Sequence, residues 1–149
     1  MHSTITWVLV ADGQRARIVE NGGPGKGLRP VTPEPLVHPD PPSRDLGTDR
    51  PGRVGESVGG ARHAIEPRTD PHRDEKRRFA HELADRLDRA AGEGAFARLI
   101  LVAPPQMLGD LRDVLTARTR ALVAAEIDKD LTKSTDRELK AHLDAISVT

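Results

Sequence analysis

Ile5-Thr6-Trp7-Val8-Leu9-Val10-Ala11-Asp12-Gly13 decides the fold of this chain. Seven apolar or β-branched residues in a row, stopped by Asp-Gly, read as a buried strand running into a tight turn. Beyond the turn, Arg15 to Glu20 alternates in character, which predicts the second arm of a hairpin lying nearer the sheet edge. A second continuous apolar run, Leu99-Ile100-Leu101-Val102, lies within Phe96–Ala103. Runs of that kind are typical of central strands covered on both faces.

The remaining elements follow from local signals. Leu28 to His38 predicts a third strand, irregular or at an edge because it carries Pro30, Pro33 and Pro35. Asp70 is a good N-cap, Pro71 suits the first helical position, and Asp74 and Glu75 favour the positive end of a helix dipole. Phe79, Ala80, Leu83, Ala84, Leu87 and Ala91 form one apolar face at helical spacing, and Gly92 and Gly94 end the helix. Pro104-Pro105 opens a second helix that buries Met107, Leu108, Leu111, Val114 and Leu115. Ala121 to Ile127 predicts a fifth strand. Thr135-Asp136-Arg137-Glu138 is a capping box that opens a last helix burying Leu139, Leu143 and Ile146. The order β-β-β, long loop, α, β, α, β, α predicts one α/β domain over residues 1–149, with a mixed five-stranded sheet flanked by about three helices.

Composition bounds the function. With 149 residues the chain builds about one core. Trp7, Phe79 and Phe96 are its only aromatic residues besides histidine, so the core is aliphatic. Basic and acidic side chains balance at 23 each, which argues against a whole-domain grip on nucleic acid but leaves room for a local basic patch. There is no cysteine, so disulfides, thiolate chemistry and zinc–cysteine sites are excluded. No secretory signal pattern stands at the N-terminus and no apolar run approaches the ~20 residues a membrane helix needs, so the expected location is cytoplasmic, with no membrane partner.

Few chemical motifs survive inspection. The stretch Asn21–Gly27 resembles a phosphate-binding loop, but Glu20 stands where its first glycine is required and Gly27 follows Lys26 in place of Ser or Thr. His2, His38, His63, His72, His81 and His142 show no metal-ligand spacing, and no nucleophile elbow is present; neither a metal nor a cofactor is implied. Asp128, Lys129 and Asp130 follow the predicted fifth strand, where α/β folds often place function, although a charged turn between strand and helix is the ordinary explanation and the favoured one. The stretch 39–71 stands apart, with five arginines, six acidic residues and many glycines and prolines. Loops beyond about 12–15 residues are uncommon in compact domains. Within it, Gly59 and Gly60 allow close backbone approach, and Arg50, Arg53 and Arg62 offer forked donors to phosphate. With Lys76, Arg77 and Arg78 they predict a basic surface suited to an RNA backbone. The alternative is a solvated loop whose arginines pair with Asp45, Asp49, Glu56 and Glu66.

Several of these pieces, taken in order, carry a resemblance. Trp7-Val8-Leu9-Val10-Ala11-Asp12-Gly13, Asp49-Arg50-Pro51-Gly52-Arg53, Gly59-Gly60-Ala61-Arg62-His63, Thr69-Asp70-Pro71-His72, Glu75-Lys76-Arg77-Arg78-Phe79, Leu101-Val102-Ala103-Pro104-Pro105 and Glu126-Ile127-Asp128-Lys129-Asp130-Leu131-Thr132 resemble the bacterial host-attachment family over nearly the whole chain. That family is regarded as similar to the middle domain of archaeo-eukaryotic release factors and of Pelota. The resemblance implies a mixed sheet flanked by helices, a loop projecting before a long helix, and ribosome or tRNA as partner. It also makes Arg50, Arg53, Gly59, Gly60, Arg62 and His63 the binding residues of that loop. In release factors the loop carries Gly-Gly-Gln, whose glutamine helps place the hydrolytic water. Here the matching triplet is Gly59-Gly60-Ala61, and Ala61 has no side-chain donor or acceptor. Binding without catalysis is therefore the expected role. Attachment to host cells and peptidyl-tRNA hydrolysis are the alternatives.

Overall fold

The computed structural model describes residues 5–22, 27–38 and 71–146. Strands β1 (Thr6–Ala11) and β2 (Arg15–Asn21) form the predicted hairpin, with Ala11 opposite Ala16 and Trp7 opposite Glu20. Asp12 builds the turn itself. Its Oδ1 accepts from the backbone N–H groups of Gln14 and Arg15, both at 2.7 Å, and its own N–H donates to the Arg15 carbonyl at 2.9 Å. An aspartate closing its own turn in this way is a local substitute for ladder bonds.

The predicted third strand is two strands. β3 (Leu28–Pro30) pairs with one end of β2 and β4 (Leu36–Val37) with the other. Prolines cannot donate to a ladder, so Pro33 and Pro35 sit in or beside the gap between them. Among the described residues the sheet therefore has six strands rather than five.

Helix α1 (Pro71–Gly92) is the long one. Asp70, its expected cap, and the 39–70 stretch lie outside the described residues. Phe79, Ala80, Leu83, Ala84 and Leu87 face the sheet, joined by Ala90, while Ala91 is only partly buried. Gly94 ends the helix in the left-handed region at φ 73°, where a side chain would be strained, and the Ala95 N–H returns to the Ala90 carbonyl at 3.0 Å. Strand β5 (Arg98–Val102) then enters parallel to β1. Helix α2 (Pro105–Val114) follows with proline in its first turn, as expected.

The second correction concerns residues 117–127. A six-residue helix α3 (Ala117–Leu122) runs directly into β6 (Val123–Ile127), which pairs parallel with β5. Ala121 and Leu122 are thus helical, and the described helices number four, not three. Thr116 caps α3, and Asp88 of α1 holds it there. Asp88 Oδ1 accepts from the Thr116 hydroxyl at 2.9 Å and from the fully buried Thr119 hydroxyl at 2.5 Å. Helix α4 (Asp136–Ala145) begins with the predicted capping box, Thr135 and Glu138 bonding reciprocally.

The sheet order is β3-β2-β1-β5-β6, with β4 beside β2. One face packs Trp7, Leu9, Leu99 and Leu101 under α1 and α2; the other packs Val8, Val10, Ile100 and Val102 under Leu131 and α4. Alternating side chains of a strand serve the two faces. The mixed α/β architecture is the one the sequence predicts. Each fully buried Leu or Phe contributes roughly 1.5–3 kcal/mol. Among the described residues, no helix is long and apolar enough to cross a membrane.

Candidate functional site

The three parallel strands β1, β5 and β6 end at one edge of the sheet, at Ala11, Val102 and Ile127. From β1 the chain turns one way to β2, and from β5 it proceeds the other way to β6. In open α/β sheets such a divergence leaves a crevice outside the strand ends, a common place for ligands.

A cleft of about 290 Å³, open to solvent, occupies this position. Its walls are Gly13 after β1, Arg73 and Lys76 of α1, and Pro104, Gln106, Met107 and Asp110 around the start of α2. Pro104 gives α2 no side-chain cap, and the first turn holds no acid. The helix start therefore presents the partial positive charge of uncapped amides. Arg73 is neutralised. It forms a fork with Asp110 at 2.7 and 2.6 Å, and both side chains are largely buried.

Lys76 differs from its neighbours. It has no hydrogen bond or ion pair among the described residues, and its stem lies across Gly13. A Cβ on residue 13 would meet Lys76 carbons at 2.8 to 2.9 Å, so the close passage requires glycine. Arg77 and Arg78, expected to join Lys76 in a basic surface, instead pair one turn back, with Asp74 at 3.2 Å and Glu75 at 2.8 Å. The cleft thus offers one open ammonium beside a helix start, a combination suited to phosphate or carboxylate oxygen.

The 39–70 stretch leaves and re-enters the described fold at this same edge. His38 precedes it, and its N–H donates to the Gln14 carbonyl in the hairpin turn at 2.8 Å. Pro71, which follows it, opens the helix that carries Arg73 and Lys76 to the cleft. The His38 ring lies against Phe79, with centroids 5.6 Å apart, between two carboxylates. Its Nε2 is 2.7 Å from Glu75 and its Nδ1 3.2 Å from Glu82. Burial opposes charge on the ring, but the hydrogen bonds to Glu75 and Glu82 outweigh it and raise the imidazole pKa above 6.5.

Of the residues singled out in the sequence, Arg50, Arg53, Gly59, Gly60, Arg62 and His63 lie outside the described residues. Asp128, Lys129 and Asp130 stand exposed after β6, at the cleft's edge of the sheet but not among its lining. Asp130 Oδ1 accepts from the Thr132 N–H at 3.0 Å and its hydroxyl at 2.5 Å, the geometry of a self-closing charged turn. Among the described residues, no group of three or more His, Asp or Glu is placed to hold a metal ion. Sequence reading missed Arg73 and Asp110, 37 positions apart, and the cleft role of Gly13. Only the requirement for glycine after a strand could have flagged the last.

Among solved structures similar to the chain is an archaeal translation termination factor, aRF1, with a TM-score of 0.49 and 10% identity over 96% of this chain and 39% of that one. A second, described as an archaeal protein, has a TM-score of 0.46 and 14% identity over 96% of this chain and 37% of that one. This chain thus spans under two fifths of the length of either. No curated protein matches it. A family model described as "Protein required for attachment to host cells" matches residues 7–143, nearly the whole length, and the chain belongs to that family.

Proposed function

We propose that this protein binds ribosomes or tRNA, gripping phosphates with Arg50, Arg53, Arg62 and His63 of the 39–70 stretch and with Lys76 at the strand-end cleft. One observation carries the reading. The ends of the arginine- and glycine-bearing stretch, His38 and Pro71, flank the edge where an open ammonium and an uncapped helix start share a cleft. Zero net charge means that binding rests on this local group and not on a general field.

Cosedimentation with ribosomes over a salt series tests it. The parent protein is expected to pellet with ribosomes at low salt and to dissociate steeply as salt rises. Arg62→Ala and Lys76→Ala are each expected to weaken binding and to lower the salt slope by about one. No association at low salt, or two variants that behave like the parent, overturns the proposal.

The family's description favours a second reading, an interaction protein that supports attachment to host cells. Cell fractionation with an adhesion assay separates the two. A surface pool with lost adhesion on deletion favours attachment, and a ribosome-associated pool with normal adhesion favours RNA.

A further inference from the structure

The cluster around His38 is not used by RNA binding as proposed above. Its geometry makes a demand of its own. Glu75 Oε1 faces Nε2 at 2.7 Å, and the Glu82 carboxylate faces Nδ1 with oxygens at 3.1 and 3.2 Å. A carboxylate only accepts hydrogen bonds. A neutral imidazole has one N–H and one lone pair, so either tautomer sets a lone pair against an anionic oxygen. Only the doubly protonated ring satisfies both contacts.

The surroundings reinforce that demand. Only 11% of the His38 side chain is exposed and only 16% of Glu75, so water screens this contact poorly. The other Glu75 oxygen accepts from Arg78 at 2.8 Å, which holds that side chain in place. Phe79 packs against the ring at a tilt of 31°. From the hairpin side comes the Gln14 carbonyl, which does not titrate, to the His38 backbone. Among the described residues, no other ionisable side chain is hydrogen-bonded or ion-paired with the ring.

We propose that His38, Glu75 and Glu82 form a proton-operated clasp that fastens the end of β4 and the hairpin turn to α1 when the ring is charged and loosens when it is neutral. His38 is the residue from which the 39–70 stretch departs, and Glu75 lies one helical turn past the residue at which it returns. The clasp therefore fixes one root of that stretch against the helix carrying the other. The linkage sign follows from the raised pKa. The clasp's contribution is complete below the unfolded value near 6.5 and is lost as pH climbs through the higher folded value.

Histidine-selective NMR on the full chain tests this. At about pH 6 both ring nitrogens of His38 are expected to be protonated, with a titration midpoint above that of an unfolded peptide spanning the residue. Glu82 is 59% exposed, so Glu82→Gln leaves the fold intact. That change is expected to lower the His38 midpoint and to speed exchange of the His38 amide about tenfold at pH 6. The parent should show the same acceleration, after correction for intrinsic rates, once its ring is neutral. A neutral single tautomer at about pH 6, or a midpoint unmoved by both Glu82→Gln and Glu75→Gln, overturns the clasp. Neither result bears on ribosome binding, so the two proposals fail separately.

Discussion

The fork between Arg73 and Asp110 ties the start of α1 to α2, and its removal has a calculable cost. Two charge-assisted bonds, at 2.7 and 2.6 Å, join side chains that are 21% and 11% exposed. Fully exposed ion pairs contribute about 0–1 kcal/mol. Breaking a buried pair from one side costs about 3–5 kcal/mol, because the other charge is stranded. Arg73 keeps a further interaction besides Asp110 and has a fifth of its surface in water, so part of that cost is recovered. We therefore expect Asp110→Ala to destabilise the protein by about 2 kcal/mol. For a chain of this length that lowers the melting temperature by about 4–8 °C. The assay is a double-mutant cycle by urea unfolding with Asp110→Ala, Arg73→Ala and the double variant, at constant m-value. A coupling energy of at least ~1 kcal/mol is expected. Coupling below ~0.3 kcal/mol would show that the fork behaves as a surface pair and that the cleft wall is held by something else.

Leu9→Ala, at a wholly buried site in the central strand, is expected to cost about 2–5 kcal/mol, and an unfolding midpoint shifted by less than ~1 kcal/mol would contradict the two-faced core. Thr135→Ala removes one half of the α4 capping box and is expected to cost about 1 kcal/mol in the same assay; Thr135→Ser should recover most of it.

How much of this was legible depends on the range of the interactions. Trp7–Ala11 and Leu99–Val102 announce central strands because both their faces are covered, and an unbroken apolar run is the direct imprint of that. The α4 cap is equally plain, since Thr135 and Glu138 are three residues apart. Local signals misled where an element is too short to show a period. Ala117–Leu122 has under two turns, and its last residues continue the apolar character of β6 without a break. Prolines marked the third strand as irregular but could not show that it divides to pair with both ends of β2. At the site, the pairs Asp74–Arg77 and Glu75–Arg78 quench two of the three cations that the sequence was expected to group into a basic surface. Lys76 escapes because no acid stands three or four places from it on the helix, while Arg73–Asp110 and His38–Glu75 join distant segments with no local trace.

The pairing of β1 with β5 has a consequence during synthesis. β1 meets its antiparallel partner within a few residues, but its parallel partner ends about ninety residues later, at Val102. At roughly 5–20 residues per second, the nascent hairpin waits on the order of 5–20 seconds with one flank of its most apolar strand unpaired. That interval, set by topology and not by final stability, is when the newborn chain is most exposed to wrong partners. Slowing elongation between these strands should therefore raise the aggregated fraction without altering the melting point of the molecules that mature.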